Sequence, residues 1–365
     1  MKRIRTIGIL TGGGDCPGIN AVIRAVAKTA ILEHGWDVIG IEDGYEGLID
    51  NRHRKLDLTD VSGILTIGGT ILGTSNTADP YRYASSCGSS VVFRNVSRRL
   101  LRNARALDLD ALVLVGGDGT LASAERLHRD GLPVVGVPKT IDNDLRGTDV
   151  TFGFDTAVAI ATEAVDRLHT TAQSHHRIMI VEVMGRRAGW IALYAGLAGG
   201  GDVILIPEIP FSLEAIAASV RERRKRGKKF SIVVVAEGAK PRGGEAVVRT
   251  IVARSAEPVR LGGVGFVLAD RMEAATGHET RAVVLGHVQR GGSPTAADRI
   301  LATRLGAEAV RLIARREFGR MVAVSKGELT SVPLDIPGAG PRLVPLDHPL
   351  ISVARALGVG FGDRV

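Results

Sequence analysis

Short apolar runs alternate with amphipathic stretches along most of this chain, and glycine-rich polar loops separate them. In the central part, an apolar run at residues 111–115 precedes a polar loop, a helical pattern and a second apolar run at residues 134–137. Short apolar runs bounded by glycine or proline are typical of buried parallel strands. Because strands and helices keep alternating, the pattern predicts an α/β fold with mainly parallel sheets flanked by helices.

Polar residues follow both of these apolar runs. Asp118 lies in the glycine-rich loop after the first run, and Lys139, Thr140, Asp142 and Asp144 follow the second run. In an open parallel sheet, the loops at the carboxyl ends of the strands are where ligands bind. These two loops are therefore the candidate functional site.

The residue types in the two loops suit phosphoryl transfer. Glycines beside a helix N-terminus let backbone N–H groups approach phosphate oxygens, and a carboxylate there is compatible with Mg²⁺ lying between it and the phosphate. Asp118 and Asp144 are therefore candidate metal-site residues, and Asp142 is a candidate general base for a hydroxyl acceptor. Lys139 and Thr140 would hold phosphoryl oxygens. The alternative is an ordinary loop in which Asp and Thr cap helices.

Composition limits the classes of protein that remain. The 365 residues carry a net charge of +8, and the densest basic run, residues 221–229, ends a helical pattern and is interpreted as a solvated helix end. Since no nucleic-acid-binding motif accompanies it, we expect no nucleic-acid partner. No apolar run approaches the roughly 20 residues of a membrane span, so we expect no membrane partner. The distant Cys16 and Cys87 indicate a reducing cytoplasm.

Several ordered motifs give the chain a resemblance to a known family. They include LTGGGDCPGINA at residues 10–21, GGTILGTS at 68–75, VEVMGR at 181–186, AEG at 236–238 and RAVVLGHVQRGGSPTAADR at 281–299. Together with GGDGT at 116–120 and PKTIDND at 138–144, they resemble the 6-phosphofructokinase family over residues 4 to about 313. The resemblance implies two Rossmann-like lobes with an active site in the cleft between them.

The resemblance also implies a glycolytic kinase. It would transfer a phosphoryl group from ATP to the 1-hydroxyl of fructose 6-phosphate, with Mg²⁺ as cofactor, in a homotetramer or at least a homodimer with shared sites. Asp118 would position the metal. The implied donor-binding residues are Gly13, Gly117, Asp118, Gly119, Thr120 and Lys139. The implied catalytic residues are Asp142, Thr140, Arg186 and Asp144.

The sugar phosphate would be bound by residues from two subunits. His287 and Arg290 would hold its 6-phosphate, and Arg177 and Arg281 look like the arginines that a neighbouring subunit supplies in the family. Four basic groups on one phosphate are physically sensible, because charge-assisted hydrogen bonds to phosphate are strong. The complete set of implied substrate-binding residues is Thr140, Asp142, Arg177, Met184, Gly185, Arg186, Glu237, Arg281, His287 and Arg290.

Two positions give opposite indications about the phosphoryl donor. By the resemblance, Gly119 leaves room for the α-phosphate and ribose of ATP, whereas Lys139 is typical of pyrophosphate users. We favour ATP, because ATP requires an open pocket while a lysine is tolerable beside either donor. Asn76 stands where the family usually has an arginine, and Arg82 or Arg94 would have to replace that charge. Two alternatives stay open: a reversible pyrophosphate-dependent enzyme and a non-catalytic protein that binds phosphorylated metabolites.

The resemblance also divides the chain into lobes. We expect a donor-binding lobe from residues 1–153 and about 289–345, and a fructose 6-phosphate-binding lobe at residues 154–288. Residues 346–365 form a tail of uncertain placement, and the Pro- and Gly-rich residues 337–345 predict a surface segment. An effector pocket would use Arg24, Lys28, Lys228 and Lys229, although His169 stands at one of its basic positions.

Overall fold

The computed structural model describes residues 3–87, 90–251 and 259–364. The strands in those ranges are β1 (Thr6–Thr11), β2 (Asp37–Ile41), β3 (His53–Leu56), β4 (Tyr83–Cys87), β5 (Ser90–Arg94), β6 (Ala111–Gly116), β7 (Val134–Pro138), β8 (Ile178–Val183), β9 (Val203–Leu205), β10 (Ser231–Ala236), β11 (Val248–Ile251), β12 (Val259–Leu261), β13 (Thr280–Val284), β14 (Arg320–Ser325) and β15 (Glu328–Pro333). The α-helices are α1 (Ile19–His34), α2 (Tyr45–Asp50), α3 (Ser97–Ala106), α4 (Asp118–Arg129), α5 (Phe154–His175), α6 (Trp190–Ala198), α7 (Leu213–Lys225), α8 (Val264–Thr276), α9 (Ala296–Ala314) and α10 (Pro349–Ala356).

Two mainly parallel sheets form the framework. The first sheet has seven strands in the order β15–β14–β7–β6–β1–β2–β3, and only its edge pairs β14–β15 and β2–β3 are antiparallel. The second sheet has four parallel strands in the order β13–β8–β10–β9. Central strands such as β6 and β8 are buried at every position, because helices cover both faces of a parallel sheet. The predicted α/β fold is confirmed.

Reciprocal capping joins two places where the chain crosses between the sheets, at the starts of α5 and α9. Asp298, in the first turn of α9, accepts hydrogen bonds from the backbone N–H groups of Gly153 and Thr156, each at 2.8 Å. In return, the Thr156 hydroxyl of α5 accepts a hydrogen bond from the backbone N–H of Thr295, the residue before α9, at 3.1 Å. Each helix thus satisfies polar groups at the start of the other, where intrahelical partners are missing. The lobe boundaries at residues 153/154 and about 288/289 stay a prediction.

A C-terminal strap, defined here as residues 341–363, leads from the first sheet to the second. Pro341 forms a bridge with Leu145 after β7, and Gly360 forms a parallel bridge with Val203 of β9. Val344 is only 2% exposed. The prediction that residues 337–345 form a surface segment agrees with the exposed Leu343 but is wrong for Val344, because the Val344 side chain packs inside the fold.

Among the described residues, no helix combines the length and the apolar composition that crossing a membrane requires.

Candidate active site

The loop between β6 and α4 is open on one side. Asp118 is the first residue of α4, and its Oδ1 accepts a hydrogen bond from Gly119 N–H at 2.8 Å. The Thr120 side chain fills the space beside Gly116, where an added Cβ would collide with it. At Gly119, an added Cβ would meet no atom of the described residues within 4 Å. Gly119 therefore borders space that a ligand can occupy, whereas the Thr120 side chain fills the space on the Gly116 side of the loop.

Hydrogen bonds within the loop after β7 fix its polar side chains. The Thr140 hydroxyl lies 3.2 Å from Asp144 Oδ1 as a donor and 3.1 Å from Asp142 N–H as an acceptor. Asn143 has a left-handed φ of 52°, and its Oδ1 accepts from Thr151 N–H at 3.0 Å. An asparagine tolerates this conformation better than most residues. The structure thus brings Thr140, Asp142 and Asp144 together at the carboxyl end of β7.

Three carboxylates interact between the loops after β6 and β7. Burial, with the negative charges of Asp142 and Asp118, raises the pKa of Asp144 to about 7. Within the described ranges, no group of three or more His, Cys, Asp or Glu side chains is arranged to hold a metal ion by itself. Mg²⁺ needs fewer protein ligands, since it is usually bound through one or two carboxylates plus water and phosphate oxygens. The carboxylate set therefore fits Mg²⁺ that is shared with a phosphate ligand.

Lys139 supports the glycine loop after β1. It is 4% exposed, and its Nζ donates to the carbonyl oxygen of Gly14. Burial lowers the pKa of this ammonium group. Gly13 has a φ of 80°, and an added Cβ there would lie 3.3 Å from Lys139 Nζ. Arg290 reaches the same loop, with a guanidinium nitrogen 2.9 Å from Asp15 O. The resemblance assigns Arg290 to the sugar 6-phosphate, whereas here it holds a backbone carbonyl of the donor loop.

The carboxyl ends of β8 and β10 supply the opposite wall. Gly185, which follows β8, has a φ of 129°, and its carbonyl accepts from Gly238 N–H after β10 at 3.2 Å. An added Cβ at Gly185 would lie 2.8 Å from the Ala188 carbonyl oxygen, so only glycine fits this turn. Met184 N–H donates to the buried Gln289 side chain at 3.3 Å. Met184 and Gly185 are therefore held rigidly between two strand ends.

Glu237 links this wall to the loop after β7 electrostatically. Burial, followed by the charge of Asp142, raises the pKa of Glu237 to about 7, while the charges of Arg290 and Arg186 act in the opposite direction. These four charged side chains come from both sheets. The polar ends of the two sheets therefore face one another across a cleft.

The raised pKa of Glu237 makes folding stability depend on pH. The folded chain keeps a proton on Glu237 up to about pH 7, whereas the unfolded chain releases it near the ordinary value of 4.5. The free energy of unfolding should therefore fall as pH rises from about 5 to 7, by up to about 1.4 kcal/mol per pH unit from this group. Thermal unfolding at several pH values should give a flatter profile for Glu237→Gln than for wild type, and equal slopes would contradict this assignment.

An ion pair that the sequence reasoning missed closes one side of the cleft. Arg187 lies 3.0 Å from Asp118 Oδ2, and both side chains are about 40% exposed (41% and 42%). Such a half-exposed pair adds little stability, but it joins the loop after β8 to the loop after β6. The signal in the sequence was Arg187 itself, a second arginine directly after the VEVMGR motif, which ends at Arg186.

Arg177 and Arg281 lie at the other end of the second sheet. Both contact Glu279, with nitrogen–oxygen distances of 2.7 Å from Arg177 Nε and from an Arg281 guanidinium nitrogen. The six residues of β8 span about 20 Å and separate these arginines from Met184. The structure does not bring them to the cleft of their own chain, whereas the exposed His287 lies at the carboxyl end of β13.

Asn76 lines a cavity beside the glycine loop after β1. This cavity of about 310 Å³ is lined by Gly13, Gly14, Asp15, Asp43, Glu46, Thr74, Ser75 and Asn76. Arg82 instead stacks on Phe93 of the β4–β5 hairpin at 4.4 Å. Neither Arg82 nor Arg94 lines the part of this cavity that the structure describes.

Comparisons with known proteins agree with this arrangement. Residues 6–313 match the family model described as phosphofructokinase. An ATP-dependent 6-phosphofructokinase 2 of Clostridium perfringens is 53% identical over 365 residues, which cover 100% of both chains. A pyrophosphate–fructose 6-phosphate 1-phosphotransferase of Amycolatopsis mediterranei is 52% identical over 342 residues, covering 94% of this chain and 97% of the relative. The solved phosphofructokinase of Saccharomyces cerevisiae superposes with a TM-score of 0.77 at 33% identity, covering 91% of this chain and 45% of the yeast chain. The chain therefore belongs to the phosphofructokinase family.

Proposed function

We propose that this chain transfers the terminal phosphoryl group of ATP to the 1-hydroxyl of fructose 6-phosphate, giving fructose 1,6-bisphosphate and ADP. The observation that carries the proposal is the 3.0 Å ion pair between Arg187 and Asp118. It brings a glycine-rich loop suited to donor phosphates against the loop proposed to hold the sugar. Relatives that are named ATP-dependent 6-phosphofructokinase over their full length support the same reaction.

The proposed chemistry needs a base, a phosphoryl site and a counter-charge. Asp142 takes the proton of the 1-hydroxyl as the new oxygen–phosphorus bond forms and the bond to the ADP oxygen breaks. Thr140 binds the phosphoryl group in transit, and Arg186 stabilises its charge in the transition state. The charge of Asp142 acts on Glu237 across the cleft, which supports these roles, because a sugar between the two sheets would lie beside both.

We propose Mg²⁺ as the cofactor, with Asp118 nearest to it and Asp144 in support. When bound, the ion neutralises charge on the donor phosphates. Asp118 lies in the first turn of α4, where the helix dipole stabilises a carboxylate.

Gly119 and Lys139 bear on the donor. The open space beside Gly119 favours ATP, whose α-phosphate and ribose require it. Lys139 keeps the pyrophosphate-dependent enzyme as a second candidate, and the Amycolatopsis relative has that name at nearly the same identity. However, the Lys139 ammonium is already used to hold the Gly14 carbonyl. It therefore has a structural role that is compatible with either donor.

The experiment that tests the proposal measures fructose 1,6-bisphosphate formation from fructose 6-phosphate and Mg²⁺, with ATP and with pyrophosphate in parallel. Turnover with ATP alone supports the proposal. Turnover with pyrophosphate alone contradicts the argument from Gly119 and favours the second candidate. Turnover with neither donor contradicts both, and leaves a protein that binds phosphorylated metabolites without catalysis.

We further propose an assembly of at least two chains, with a homotetramer as the expected form and the cytoplasm as its location. In this assembly Arg177 and Arg281 reach the 6-phosphate of a neighbouring chain. Arg281→Ala should raise KM for fructose 6-phosphate by about 10- to 100-fold, since a lost charge-assisted contact costs about 1.5–3 kcal/mol. KM for ATP should change little. Arg167→Ala, which removes an exposed ion pair within α5, is the matched control.

Mixed oligomers provide a direct test of the proposal that two chains share each site. Arg281→Ala chains and Asp142→Asn chains each lack one part of the site, but a mixed pair contains one site with both parts intact. Co-folding the two variants should restore activity at low fructose 6-phosphate. A mixture no more active than its two components would show that the arginines do not act across chains.

A further inference from the structure

The C-terminal strap contacts the loop that carries the proposed base. Arg342 N–H donates to the Asp144 carbonyl at 2.7 Å, and its guanidinium donates to the Asn143 carbonyl at 2.8 Å. The neighbouring bridge between Pro341 and Leu145 continues this pairing. The strap therefore holds the backbone carbonyls of two consecutive loop residues, Asn143 and Asp144, and pairs with the loop at Leu145.

The same arginine contacts the opposite side of the cleft. Its guanidinium carbon lies 4.5 Å from the centre of the Trp190 ring, and Trp190 Nε1 donates to the Arg342 carbonyl at 2.9 Å. Next to it, Glu208 accepts hydrogen bonds from Gly189 N–H at 3.0 Å and from Val344 N–H at 2.8 Å. Gly189 and Trp190 directly follow the loop of Arg186 and Arg187. The loop after β7 that carries Asp142, the proposed base, is called the base loop here. The strap thus connects the base loop to the loop that carries Arg186, the arginine proposed to stabilise the phosphoryl group.

Partial burial of the Arg342 guanidinium has a desolvation cost in free energy, which indicates a role other than stabilising the fold. Burial lowers the pKa of Arg342, and its buried Nε has no hydrogen-bond partner among the described residues. An aliphatic side chain of similar size would fill the space without that desolvation cost. Only a planar fork, however, can donate to the Asn143 carbonyl while it stacks on Trp190.

We propose that Arg342 is a positioning residue for phosphoryl transfer, which sets the spacing between the Asp142 loop and the Arg186 loop. It acts through backbone carbonyls and the Trp190 ring and does not touch the substrate. Because reaction rates are sensitive to errors of about 1 Å in the placement of reacting groups, its loss should lower kcat more than it raises KM. Residue 342 lies outside the 6–313 range that matches the family model. The kinetic part of this proposal rests on the proposed function.

Arg355 offers a matched control within the same strap. Its guanidinium lies 4.9 Å from the Phe361 ring and pairs with Asp363 at 2.7 Å, so it also combines a ring contact with a polar anchor. Within the described part of the chain, no hydrogen bond, ion pair or ring contact joins Arg355 to the loop of Asp142. Arg342→Met should lower kcat by about 10- to 100-fold with KM values within about threefold, whereas Arg355→Met should keep kcat within about twofold. Arg342→Lys keeps a donor group but loses the planar fork of the guanidinium. Its kcat should therefore lie between those of Arg342→Met and Arg355→Met.

A second measurement does not depend on catalysis. Hydrogen–deuterium exchange of residues 140–152 should be faster in Arg342→Met than in wild type and Arg355→Met, because the loop loses one of its anchors. Trp190→Phe keeps a smaller aromatic ring but removes the N–H donor, so it should lower kcat by about fivefold. This milder variant keeps the proposal testable if Arg342→Met folds poorly.

The outcomes separate this inference from the proposed function. An Arg342→Met protein with kcat within twofold of wild type, or with the same loss as Arg355→Met, would overturn the positioning role. Unchanged exchange at residues 140–152 would overturn it as well. If wild type lacks activity with both donors, the proposed function fails, and the exchange measurement alone decides whether Arg342 holds the loop.

Discussion

Replacing Asp142 by asparagine is expected to lower kcat for fructose 6-phosphate phosphorylation by about 10²–10⁴-fold, with little change in KM. The amide has the size of the carboxylate but cannot accept the proton of the 1-hydroxyl. The backbone N–H of residue 142 still donates to the Thr140 hydroxyl, as it does at 3.1 Å in the present structure. The loop should therefore keep its shape, so the loss falls on the chemical step.

Asp118→Asn is the informative comparison for that variant. This residue is proposed to act through Mg²⁺, so the variant should need more Mg²⁺ for half-maximal activity and recover part of its rate at high Mg²⁺. Asp142→Asn should show no such recovery, because added metal does not replace a base. If Asp142→Asn kept more than a tenth of wild-type kcat, another residue would have to be the base.

Changing Gly119 to aspartate is expected to reduce kcat/KM for ATP by about 10²–10³-fold, since placing like charges together costs several kcal/mol. An added Cβ at Gly119 meets no atom of the described residues within 4 Å, so the variant should fold normally. The new carboxylate would occupy the open space and repel the α-phosphate of ATP. Steady-state kinetics with ATP and with pyrophosphate, on the same preparation, would measure the change.

Gly119→Ala separates size from charge in this experiment. A methyl group takes some of the space but carries no charge, so the loss with ATP should stay below about tenfold. Activity with pyrophosphate, if wild type has any, should survive the aspartate better than activity with ATP does. An aspartate variant that uses ATP within tenfold of wild type would show that the donor does not pass beside this position.

The central strands of the two sheets could be predicted from the sequence because each of them corresponds to a short apolar run of neighbouring residues. Residues 111–115 were expected to form a buried strand, and β6 spans Ala111–Gly116, since an unbroken apolar run is readable without knowledge of the fold. The sequence assigns the loops after β6 and β7 to one candidate site for a similarly general reason, because ligands bind at the carboxyl ends of the strands in an open parallel sheet.

What the sequence missed depends on contacts between distant residues. Arg342 and Asn143 are 199 residues apart in the chain, and no periodic pattern connects them. The prediction of a surface segment at residues 337–345 followed from Pro and Gly content, which describes backbone preference and not tertiary packing. For Lys139, the sequence indicated a role at the donor, but its contact with the Gly14 carbonyl depends on how β1 and β7 are arranged in the sheet.

The crossings between the sheets have a consequence for the order of folding during synthesis. All strands of the second sheet lie between β7 and β14 in the chain, and a chain made from its N-terminus can fold each unit only as it emerges. The second sheet can thus be complete while the first still lacks β14. The base loop would receive its last anchor only when residue 342 has left the ribosome. A nascent chain that already contains all the predicted catalytic residues would therefore acquire full activity late, after the strap has closed over the loop.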